Sequence, residues 1–96
     1  MKIQTISDFR RAMRAGPYAW PGGYPVYFIT ADGGALSFKS ARACRREILN
    51  AIADNASRSG WRIVAADIAW EGPLFCDHSG EPIETAYGDV EETASE

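Results

Sequence analysis

Two pairs of positions, Ser37-x-x-Ser40 and Cys76-x-x-Ser79, have the spacing of two zinc-gripping knuckles, yet only Cys76 is a residue that zinc would choose. A serine hydroxyl does not ionise near neutral pH and is almost never a structural ligand, so the frame of a metal site is present without its chemistry. A chain built on this frame has to be held together by apolar packing. Its 96 residues, 46% of them hydrophobic, suffice for one such core and no second. The expectation is one compact domain over residues 1–88. An acidic tail, residues 89–96, follows; it has four carboxylates and one branched aliphatic side chain, too little apolar surface to offset the entropy of ordering, and it should fray.

The apolar pattern predicts the elements. Thr5-Ile6-Ser7-Asp8 reads as a capping box, and Ile6, Phe9 and Met13 recur at helical spacing until Gly16-Pro17, which predicts a helix over 7–15. Residues 17–25 combine three prolines and two glycines with Tyr18, Trp20 and Tyr24, an ordered loop and not a linker. Val26 to Thr30 is β-branched and aromatic, and Asp32-Gly33-Gly34 supplies a tight turn before a return strand over 35–38. A second helix is expected from Ser40, as N-cap, to Ala53 or Asn55, with Ala41, Cys44, Ile48, Ala51 and Ile52 on its buried stripe. Residues 61–70 alternate as a strand until Glu71-Gly72-Pro73, and 74–76 pairs with 82–85 around Asp77-His78-Ser79-Gly80. The order α-β-β-α-β-β-β predicts an α+β fold: a small antiparallel sheet of about four to five strands with two helices packed on one face.

Charge is segregated along the chain. Residues 1–62 hold all ten Lys and Arg against four carboxylates, a balance of +6, while the remainder holds nine carboxylates and no base, −9. Such asymmetry marks a nucleic-acid face or an acidic interaction surface, or else the two halves fold together and neutralise each other. No stretch approaches the roughly 18 apolar residues of a membrane span, and no basic start precedes an apolar core, so a cytoplasmic protein without membrane contact is expected. Cys44 and Cys76 are too few for a secreted disulfide scaffold.

Three constellations could carry chemistry. Cys76, Asp77 and His78 bring a thiol, a carboxylate and the single imidazole to one turn. Four zinc ligands are not available there, so no metal and no cofactor is expected; were zinc found, Cys76, His78 and Cys44 would be its ligands. A thiol enzyme needs Cys76 activated by a base, and the two-residue separation from His78 leaves that geometry open; no catalytic residue is assigned. Arg42, Arg45 and Arg46 share one helix face, and Arg10, Arg11 and Arg14 repeat the pattern on the first helix, suited to phosphates or to a partner's carboxylates. Tyr18, Trp20 and Tyr24 either cover the sheet or anchor an interface.

Three segments carry a resemblance: Tyr24-Pro-Val-Tyr-Phe-Ile-Thr-Ala-Asp-Gly-Gly34, Trp61-Arg-x-Val-Ala-x-Asp-Ile68 and Cys76-Asp-His-Ser-Gly-x-x-Ile-Glu-x-Ala-Tyr-Gly88. The chain resembles a group of small uncharacterised proteins of bacteriophages, prophages and plasmids, some with cysteines at the positions of Ser37, Ser40, Cys76 and Ser79. It is thus similar to a zinc ribbon that has lost three ligands. The resemblance implies an accessory product of a mobile element in a bacterial host cell, of the kind that occupies a host macromolecule, as anti-CRISPR inhibitors do. The function expected is non-enzymatic: stoichiometric binding to a host protein, with Tyr18, Trp20, Tyr24, Arg42, Arg45 and Arg46 as contacts. The alternative is a ribbon-derived nucleic-acid module using both arginine faces.

Overall fold

A computed structural model describes residues 1–19, 22–55 and 59–87. The expected acidic tail and Trp20 lie outside them, so neither is placed. Helix α1 spans Ile6–Ala15, strand β1 Tyr18–Ala19, β2 Tyr24–Thr30, β3 Ala35–Ser37, helices α2 Phe38–Ala43 and α3 Arg45–Ala53, and β4 Ile63–Ile68. The class is α+β with a four-stranded antiparallel sheet, as the pattern predicts.

The capping box that opens α1 is complete: the Asp8 amide donates to Thr5 Oγ1, and the Thr5 amide donates to the Asp8 carboxylate. These bonds satisfy donors that a helix start leaves free. The hairpin β2–β3 turns at Gly33, whose φ of 87° is costly for any side chain. Thr30 and Gly34 close the turn, the Thr30 amide donating to the Gly34 carbonyl at 3.0 Å.

Strand β2 is the centre of the sheet. Phe28 stands opposite Leu36 on β3 and Ala66 on β4, and all three are buried. Onto this row come Phe9 and Ala12 from α1, Phe38 and Ala41 from α2, and Ile48 from α3, joined by Ile3, Ile63, Ala69, Cys76 and Ile83. Phe28 carries the aromatic contacts, with ring centroids 6.0 Å from Phe9 and 5.8 Å from Phe38. The helices cover the sheet because their apolar stripes find no other surface to bury against.

Four details differ from the sequence-based expectation. The loop expected over 17–25 holds β1 and the first two residues of β2, which pair with each other, so the order is α-β-β-β-α-α-β. The second helix is two helices, broken at Cys44, where φ is −108° and ψ 29°; no glycine or proline marks the break. Its N-cap is Ser37 and not Ser40: Ser37 is extended and its hydroxyl accepts from the Ser40 amide at 3.1 Å, which moves the helix start forward into Phe38. The last hairpin is a single bridge, Phe75 opposite Pro82, flanked by amide bonds from Cys76 to Glu81 and from Ile83 to Leu74. Proline lacks the amide that would extend the ladder.

Candidate functional site: a serine-lined thiol and an arginine surface

The end of β3, the start of α2 and the last hairpin bring the four knuckle positions together. The Asp77 amide donates to the Ala35 carbonyl at 2.8 Å, tying the hairpin to β3. The Ser37 amide then donates to Cys76 Sγ at 3.4 Å, and Ser40 Oγ lies 3.3 Å from the same sulfur. Ser79, on the same turn, lies near enough for its amide and hydroxyl to favour the ionised sulfur. Cys76 is only 1% exposed. Burial pushes its thiol up, but the Ser37 amide, the Ser40 hydroxyl and the two Ser79 donors outweigh it and bring the pKa down to about 6. The donors of these serines thus favour the ionised form of one buried sulfur where the two knuckle segments meet. The sulfur is enclosed by these donors and by the core residues around it.

His78, exposed at the turn, does not face this sulfur. Its Nε2 lies 3.5 Å from Sγ of Cys44, and its ring packs against Trp61 with centroids 5.2 Å apart. Both cysteines are free thiols. Among the described residues no three His, Cys, Asp or Glu side chains gather at one point.

The two arginine faces meet. Helices α1 and α3 pack side by side, and Arg10, Arg14 and Arg45 line one cleft with Phe9, Met13 and Leu49 as its apolar lining. Arg42, Arg45 and Arg46 line an adjoining cleft that shares Arg45 and Leu49. All five arginines are exposed. None forms an ion pair with a carboxylate among the described residues, whereas Arg11 pairs with Asp8 at 3.9 Å. Arg42 instead rests its guanidinium over the Phe38 ring, 5.0 Å from the centroid.

The loop rings are placed elsewhere. Tyr18 and Tyr24 are each 39% exposed, and the Tyr18 hydroxyl donates to Glu84 at 2.7 Å. Tyr24 packs on Trp70 with centroids 4.8 Å apart, and Trp70 on Tyr87 at 6.1 Å, which makes a row of three exposed rings across the sheet end. Sequence reasoning named Tyr24 but missed Tyr87, which sits there because its amide donates to the Trp70 carbonyl at 3.0 Å. It also missed Met13 and Leu49 as the lining of the arginine cleft. Helical spacing offered a signal for Leu49, which lies three and four positions beyond Arg46 and Arg45.

No protein-family model matches the chain, and no curated protein or solved structure is significantly similar to it. No helix among the described residues is long and apolar enough to cross a membrane.

Proposed function

We propose that the chain is a non-enzymatic binding protein that acts by stoichiometric contact with an acidic protein surface, seated on the arginine cleft between α1 and α3. The observation that supports this reading is the convergence around Met13 and Leu49 of five exposed arginines, none of them ion-paired with a carboxylate among the described residues. An apolar lining flanked by guanidinium groups suits a partner helix that presents a ridge of apolar side chains between carboxylates. In the setting the resemblance implies, the partner is a host protein and the effect inhibition by occupancy, as with anti-CRISPR proteins.

The test is affinity capture from lysate of a bacterial host, comparing the wild-type chain with Arg14→Glu, Arg45→Glu. Any captured protein is then reconstituted with purified chain at defined stoichiometry. A 1:1 complex lost in the double variant supports the proposal. Equal retention by both forms would sink it.

One observation favours a second reading. Five exposed guanidinium groups on adjoining clefts also fit phosphates, and that reading predicts binding to labelled DNA or RNA that weakens steeply as salt rises. The apolar lining has no role in a phosphate contact, which is why the acidic protein stands first.

A further inference from the structure

The break between α2 and α3 places Cys44 beside the turn that carries His78, and the distance between their donor atoms is informative. With a zinc–sulfur bond of about 2.3 Å, a zinc–nitrogen bond of about 2.05 Å and a tetrahedral angle, sulfur and nitrogen stand about 3.5 Å apart. Cys44 Sγ and His78 Nε2 are 3.5 Å apart. They come from elements 34 residues apart in sequence, so the pairing is a product of the fold and not of local chain geometry. The His78 ring is steadied by Trp61, and Cys44 is fixed by its own backbone, whose amide donates to the Ser40 carbonyl at 2.9 Å and whose carbonyl accepts from the Ile48 amide at 3.2 Å. Two ligands held in place before the ion arrives lower the ordering cost of binding it.

We propose that Cys44 and His78 form one edge of a tetrahedral binding site for a borderline-soft divalent cation, zinc foremost. Thiolate and neutral imidazole are the donors such an ion selects over the oxygen-seeking magnesium and calcium. Binding transfers the Cys44 proton to solvent and takes the lone pair of Nε2, which leaves the ring hydrogen on Nδ1. Water fills the two remaining positions, toward the solvent to which His78 is open. The edge is distinct from the serine-lined sulfur: Cys76 keeps its bonds to Ser37 and Ser40 and takes no part.

Cobalt(II) titration of the reduced full chain tests this, since a thiolate ligand gives an intense near-ultraviolet charge-transfer band. The expected result is a band that saturates at one cobalt per chain, is displaced by zinc, vanishes in Cys44→Ser and persists in Cys76→Ser. Losing a partner in the outer shell costs a metal site about 10- to 100-fold, so His78→Gln, which removes a ligand outright, should weaken binding by at least about tenfold. Unchanged thermal melts of the metal-free variants keep the comparison to folded protein. No band in the wild type, a band that survives Cys44→Ser, or one that depends on Cys76 would overturn the assignment.

Discussion

Removing the hydroxyl of Ser40 should raise the pKa of a residue 36 positions away. Ser40 is buried at 6% exposure, and its Oγ lies 3.3 Å from the Cys76 sulfur, close enough to donate when that sulfur is ionised. A hydrogen bond to a charged group contributes about 1.5–3 kcal/mol, and one pKa unit is worth about 1.4 kcal/mol, so Ser40→Ala should raise the Cys76 pKa by roughly 1 to 2. The site starts from a pKa of about 6. The variant should therefore bring the Cys76 pKa to about 7 or above and leave half or more of the thiol protonated at pH 7. So that the signal comes from one sulfur, both proteins are compared on a Cys44→Ser background, and the thiolate is followed by its ultraviolet absorbance against pH. Ser40→Ala leaves the Ser37 amide in place, so the change isolates one donor. A parent sulfur that titrates in the ordinary thiol range, or a midpoint unmoved by Ser40→Ala, would refute the idea that the serines hold a thiolate.

The same sulfur sets a pH dependence of stability. A thiol whose folded pKa lies below its unfolded value stabilises the fold fully above the unfolded value, and that contribution is lost as pH falls through the folded one. For Cys76, lowered from 9.0 to about 6, the window runs from about pH 9 down to about pH 6, and the full effect is on the order of 4 kcal/mol. Denaturant melts across that window should slope for the wild type and flatten for Cys76→Ser. Asp8 and Asp32 do not interfere, because backbone bonds at Gln4 and Thr5, and the Thr30 hydroxyl, respectively hold them below the usual carboxylate range. The triple substitution Ser37→Cys, Ser40→Cys, Ser79→Cys should create a four-sulfur site with Cys76 that binds zinc stoichiometrically even when Cys44 is serine; failure to retain zinc on dialysis would show that the four positions do not converge as described. Phe28→Ala should destabilise by about 3–5 kcal/mol, since the ring is fully buried between Phe9 and Phe38, and a loss under about 1 kcal/mol in chemical denaturation would contradict that packing.

Local signals carried most of the architecture. The capping box at Thr5, the glycine turn at Gly33 and the β-branched run of β2 are each decided within a few residues, and each stands where the pattern puts it. What escaped was set by tertiary contact. The break at Cys44 has no glycine or proline to announce it, and Ser37 caps the helix in place of Ser40 because the chain leaving β3 is already extended there. The candidate sites divide the same way. The spacing of Ser37, Ser40, Cys76 and Ser79 anticipated a shared centre, whereas the pairing of His78 with Cys44 depends on how the hairpin docks against the helices. The junction of two arginine faces was likewise invisible, because a linear sequence shows each face and not the packing angle between helices.

Strand β2 supports every other strand of the sheet: β1 and β3 come from the chain around it, and β4 arrives from more than thirty residues downstream. A fragment ending before residue 60, such as a protease or a premature stop would leave, therefore keeps the central strand but strips one of its sides. That bare row of amides and carbonyls would template pairing with other molecules, so shortened versions of this protein should clump instead of persisting as half-sized domains.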